Sequence, residues 1–85
     1  MFDWDEDNIE HIVRHGVDTW EAEDAVWDPG RVPFPAHGGR AGVIGATEDG
    51  RILVVVMERG GGTTRVVTAR DASKNEKRSY RRRKR

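Results

Sequence analysis

The stretch that decides the fold is RAGVIGATEDGRILVVVM, residues 40–57. Two apolar runs, residues 40–47 and 51–57, flank Glu48-Asp49-Gly50. Asp-Gly between such runs signals a β-hairpin, because Gly takes the positive φ of a tight turn without steric cost. Residues 52–57 are apolar without alternation, which predicts a central strand covered on at least part of both faces. Downstream, Gly60-Gly61-Gly62 marks another turn, and residues 63–68 return as a further β-branched strand. Upstream, Val32 and Phe34 are apolar, but Pro33 and Pro35 lack the donor N–H, so any strand there is an edge strand or a partly open arm.

The flanks of this sheet read as helices. Phe2-Asp3-Trp4 alternates and predicts a short strand. Asp5 suits an N-cap, and Ile9, Ile12 and Val13 fall at i, i+3 and i+4, so an amphipathic helix is expected over 5–15, ended by Gly16. Asp18 and Glu21 form a capping box for a second helix, whose apolar surface is Trp20, Ala22, Ala25, Val26 and Trp27, and which stops before Pro29. The three tryptophans, Trp4 included, are expected to anchor the core. Ser73 with Glu76 is another capping box and starts a last helix near Lys74. Its only large apolar residue is Tyr80, so it leans on the domain through Ala72 and Tyr80. The expected fold is α+β. An antiparallel sheet of three to five strands carries two N-terminal helices on one face, with a short basic helix at the C-terminal end.

Length and composition narrow the function. Eighty-five residues allow one domain, expected over 1–80, with a basic tail over 81–85 that frays without an anion. With no cysteine there is neither a disulfide framework nor a thiolate metal site. No apolar run approaches membrane-spanning length and the first residues are acidic, so a cytoplasmic protein is the expectation. The zero net charge conceals strong segregation. Residues 1–28 hold ten acids against Arg14 alone, a net −9, whereas residues 65–85 hold ten bases against Asp71 and Glu76, a net +8. Such asymmetry suggests a surface that meets a polyanion, although two ends that neutralise each other would read the same way.

The arginines are the main chemical candidates. Arg40 and Arg51 open strands, and Arg59, Arg65 and Arg70 sit near strand ends, where several guanidinium groups can converge. Convergent guanidinium groups suit phosphate, whose oxygens match their planar, bidentate donors. Metal-free RNA cleavage also needs a base for the 2′-hydroxyl proton and an acid for the leaving oxygen. Arg40, Arg65 and Arg70 are the candidates for phosphate stabilisation, with Glu58, Glu76, Tyr80 or His37 as proton carriers. Arg51, Lys74, Lys77, Arg78, Arg81 and Arg82 would hold the nucleic-acid backbone. His11 and His15 have the i, i+4 spacing of helical zinc ligands but no companions at a defined spacing, so they read as an exposed and a helix-terminal histidine, and no cofactor is expected. A non-catalytic module that docks its basic C-terminal segment on nucleic acid or on an acidic partner fits the same residues.

The chain also resembles the BrnT family, the toxin half of bacterial type II toxin–antitoxin modules. The likeness rests on Phe2-Asp3-Trp4-Asp5 followed by Asn8, on Arg14-His15-Gly16-Val17, on Glu21-Ala22 with Asp28-Pro29, and on Ile44-Gly45. It continues through Arg65-Val66-Val67-Thr68-Ala69-Arg70 with Ala72, Glu76 and Tyr80. The resemblance implies a RelE-like fold and a ribonuclease activity that arrests translation, possible at the ribosome. It also implies neutralisation by a BrnA-type antitoxin with a ribbon-helix-helix domain, in a dimer or a heterotetramer with that antitoxin. Two features depart from the family pattern: residues 35–40 hold no carboxylate before the strand arginine, and the C-terminal basic run is heavier.

Overall fold

A computed structural model of the chain describes residues 1–83. Helices α1 (Glu6–Val13) and α2 (Thr19–Trp27) precede strands β1 (Val32–Pro35), β2 (Ala41–Ala46), β3 (Ile52–Gly60) and β4 (Thr63–Asp71), and α3 (Lys74–Arg83) follows them. The four strands form one antiparallel sheet in chain order, so β1 with its two prolines is an edge strand, as the missing N–H donors require. Arg81, Arg82 and Arg83 form the last turn of α3; Lys84 and Arg85 of the expected frayed tail lie outside the described residues. No described helix is long and apolar enough to cross a membrane.

The expected caps are present. Asp5 and Asn8 bond reciprocally at the start of α1, the Asp5 N–H donating to Asn8 Oδ1 at 2.8 Å and the Asn8 N–H to Asp5 Oδ1 at 3.2 Å. The buried Asn8 also donates through Nδ2 to the carbonyls of Asp3 and Val66, at 2.9 and 3.1 Å, which ties α1 to the edge of β4. Gly16, at φ 73°, turns the chain after α1 in the left-handed region that favours glycine. The expected N-terminal strand is reduced to a single parallel bridge between Phe2 and Thr64, because Asp5 already caps a helix and leaves too few residues for a ladder.

Unalternating β3 needs cover on both faces, and it receives it from different elements. On one face Leu53, Val55 and Met57 pack with Val43, Val66 and Ala69 beneath Ile12, Val17, Ala22, Ala25 and Val26. On the other, Ile44, Ile52 and Val54 meet Ala72 and Tyr80, with Val32, Phe34 and Ala46 alongside. Thus the third helix lies across the face opposite α1 and α2 instead of joining them on one side. Burying each large aliphatic side chain contributes roughly 1.5–3 kcal/mol, against 0–1 for an exposed ion pair, so packing holds this fold together.

The tryptophans correct a further expectation. Trp20 and Trp27 are 47% and 67% exposed, and Ile9 and Val13 also face solvent, while alanines and Ile12 form the contact surface. The reason is distance. A Cβ added at Gly45 of β2 would sit 2.1 Å from the Ala25 carbonyl oxygen, so α2 lies too close to the sheet for an indole to fit between them. Only Trp4 is partly buried, packed against the core and donating to Glu23 Oε2 at 2.8 Å.

Candidate functional site

Cross-strand register builds the site. Ala41 pairs with Met57, which puts Arg40, the residue before β2, opposite Glu58, and Glu58 in turn pairs with Arg65. Arg40, Glu58 and Arg65 therefore form a row across three strands. That row depends on an irregularity: Val56 pairs with Thr68 but Met57 with Val66, leaving Val67 as the extra residue of a β-bulge. Without it, Val66 would stand opposite Glu58, which is the re-aiming that bulges produce.

The row lines a groove of about 320 Å³, completed by Asp7, Asn8 and His11 of α1 and by Val66 and Val67. Arg40 Nε donates to Glu58 Oε2 at 3.1 Å, with both side chains largely exposed. Arg65 reaches Asp5 Oδ2 at 2.9 Å and Asp3 Oδ2 at 3.4 Å. Its guanidinium holds the Asp5 carboxyl below the usual range, and Asp5 in turn raises Arg65. His11 Nε2 lies 3.1 Å from Thr68 Oγ1, and the His11 ring stands edge-on to His15 with centroids 5.4 Å apart. The groove thus combines two guanidinium groups, two carboxylates and an imidazole, all reachable from solvent.

The remaining sequence-selected residues are placed elsewhere. Arg51 clasps four acceptors: Asp71 Oδ1 and Oδ2 at 2.9 and 3.2 Å, Glu21 Oε1 at 3.0 Å and the Gly16 carbonyl at 2.8 Å. Its charge is stabilised chiefly by Asp71, which raises its pKa. Arg70 pairs with both oxygens of Glu76, at 2.8 and 2.9 Å, while Glu76 accepts the Ser73 N–H at 2.7 Å in the cap of α3. The Arg70 guanidinium and then the Ser73 bonds pull Glu76 from 4.5 down to about 2. Tyr80 donates to Asp28 Oδ2 at 2.6 Å, and burial followed by that bond pushes its phenol up to about 12. His37 is exposed in a short turn, His37–Gly39, and does not line the groove.

Tyr80 and Asp28 border a larger cavity of about 650 Å³ whose charged lining is Asp24, Asp28 and Glu48. Carboxylates repel phosphate, so the smaller arginine-lined groove is the better anion site. Along α3, Lys74, Lys77, Arg78 and Arg81 line a further, smaller groove of about 290 Å³, with Arg82 exposed beyond it. Among the described residues, no group of three or more His, Asp or Glu side chains is arranged to hold a metal ion.

Of the seven residues considered from the sequence for phosphate stabilisation or proton transfer, the fold gathers Arg40, Glu58 and Arg65 in the groove and leaves Arg70, Glu76, Tyr80 and His37 out of its lining. His11 joins the groove although its spacing to His15 suggested no role beyond an ordinary exposed histidine. Only its register against β4 could have revealed it.

No curated protein matches the chain. The family model described as ribonuclease toxin, BrnT, of type II toxin–antitoxin system matches residues 4–76. That span runs from Trp4 through the groove residues to the cap of α3. With most of its length matched, and with the helices and antiparallel sheet in the order described above, the chain belongs to the BrnT family of ribonuclease toxins.

Proposed function

We propose that the groove between α1 and the β2–β4 row binds one phosphodiester of RNA and cleaves it without a metal ion, and that this cleavage inhibits translation. The observation that carries the reading is the register that brings Arg40, Glu58 and Arg65 together from three strands. Arg40 and Arg65 stabilise charge on the phosphate as it becomes pentavalent, the kind of electrostatic assistance worth most at a fixed, preorganised site. Phosphate that takes the Arg40 guanidinium displaces Glu58, and the freed carboxylate then accepts the 2′-hydroxyl proton. In this reading Arg70 and Tyr80 act on the fold: Arg70 secures the start of α3 through Glu76, and Tyr80 secures its far end through Asp28.

Lys74, Lys77, Arg78, Arg81 and Arg82 hold the RNA backbone outside the groove, and they would suit attachment to ribosomal RNA equally well. A BrnA-like antitoxin with a ribbon-helix-helix domain is the proposed neutralising partner. The acidic helices α1 and α2, with Val13 and Trp20 exposed, offer it a surface. The second reading, binding without cleavage, is favoured only by the basic groove of α3, which needs no catalytic group.

Product chemistry separates the two. Purified protein incubated with RNA in excess EDTA should generate ends bearing 2′,3′-cyclic phosphate. RNA left intact at high protein concentration supports the binding module, and cleavage abolished by EDTA overturns the metal-free route.

A further inference from the structure

The groove holds one more group able to move a proton. The arginines cannot release one in proteins, and Glu58 as the base must begin ionised. Asp7 belongs to the same acidic class as Glu58, for which the ionised form is the ordinary one at neutral pH. His11 remains, and imidazole is the side chain whose ordinary titration range spans neutrality. Its ring is oriented by the 3.1 Å contact with Thr68 Oγ1, so it is aimed by β4 while being carried by α1. The charged groups around it are of both signs. Asp7, one turn earlier on α1, and Glu58 of β3 are acidic, whereas Arg40, Arg65 and the neighbouring His15 are basic.

We infer that His11 is a catalytic residue of the RNA cleavage, the general acid that protonates the leaving 5′-oxygen. The inference rests on the ribonuclease reading and deepens it. In the step, the 2′-oxygen attacks phosphorus and gives its proton to the Glu58 carboxylate. The bond from phosphorus to the 5′-oxygen breaks, and that oxygen takes a proton from the His11 imidazolium. The products are a 2′,3′-cyclic phosphate and a 5′-hydroxyl, with Glu58 protonated and His11 neutral. Exchange with solvent restores both, so no oxidant, reductant or further reactant is required. The two groups line the same groove from different elements, Glu58 from the sheet and His11 from the helix.

The test compares two substrates: an oligoribonucleotide, and the same molecule with sulfur replacing the 5′-oxygen at the cleaved linkage. A thiolate leaves without a proton, so loss of a general acid is felt on the first substrate and not on the second. His11→Ala and His11→Gln should cleave the ordinary substrate about 100-fold or more slowly and the sulfur substrate within a few-fold of the parent. Both variants should also differ from the parent in the pH dependence of cleavage of the oxygen substrate, and not in that of the sulfur substrate. Arg65→Ala, which removes phosphate stabilisation, should be slow on both substrates. Because His11 is exposed, the two variants should melt with the parent. Parent-like rates for both His11 variants on the oxygen substrate, or equal slowing on the two substrates, would overturn the role of His11 while leaving the ribonuclease reading in place. A parent protein that cleaves neither substrate overturns that reading itself, and the inference with it.

Discussion

Arg51 and Arg65 both lie on the sheet and both face carboxylates, yet their surroundings differ. Arg51 bonds to four acceptors from Gly16, Glu21 and Asp71, two of them oxygens of one carboxylate in the bidentate geometry that guanidinium favours. It joins the turn between two helices to β3 and β4. Arg65 also holds both oxygens of one carboxylate, Asp5, at 2.9 and 3.2 Å, with Asp3 at 3.4 Å, but these partners lie on the N-terminal segment, which is attached to β4 through a single bridge. A phosphate can displace the second set of partners at small cost, whereas displacing the first would loosen the fold. Arg40 resembles Arg65 in having its partner, Glu58, on an exposed stretch, and Arg70 resembles Arg51 in that its partner, Glu76, is itself fixed by the cap of α3. An arginine's chemistry is the same at all four positions; the attachment of its acceptors decides whether it is available to a ligand.

The strongest attack on this contrast is kinetic. Arg65→Ala or Arg40→Ala should reduce RNA cleavage by about 100-fold or more, with little change in melting temperature, since exposed pairs contribute at most about 1 kcal/mol. Equal activity in both variants, measured by single-turnover cleavage, would erase the distinction. A smaller effect is expected at the other member of the comparison. Arg51→Ala should lower unfolding free energy by about 1–2 kcal/mol in urea titration while the folded fraction cleaves RNA at close to the parent rate. If it lost activity without losing stability, Arg51 would belong with the groove.

The smallest effect concerns Arg70 and Glu76. Folding depresses the Glu76 pKa from 4.5 to about 2, so the pair's contribution is fully present above about pH 4.5 and fades as pH falls towards 2. Glu76→Gln should remove that part of the acid dependence, and because the groups are partly exposed the difference should stay below about 1 kcal/mol. Stability curves of parent and variant that remain parallel between pH 5 and about 2 would show that the pair contributes nothing.

Much of the architecture was legible because its signals are local. Asp5, Asp18 and Ser73 cap helices by bonding to groups within three residues of themselves, and Asp49-Gly50 turns the chain between two apolar runs. Pro33 and Pro35 demand an edge by lacking a donor, wherever the rest of the sheet lies. The tryptophans misled because apolar character alone does not measure the gap between a helix and a sheet. At Gly45 that gap admits no Cβ, so Trp20 and Trp27 turn outward. The site was half legible: arginines at strand ends pointed to an anion, but which of them meet was not written in any local pattern.

The amino-acid order alone determined the helices, the hairpin, the Pro-bearing edge and the separation of acidic and basic ends, since each follows from conformational preference or charge within a short window. Tertiary structure decided which residues share the groove. One bulge residue, Val67, shifts β4 so that Arg65 faces Glu58, and packing of α1 against that strand brings His11 beside them. Strand pairing is a long-range choice among backbone registers that differ by a single residue, and no side chain near Arg65 specifies it without the partner strand in place.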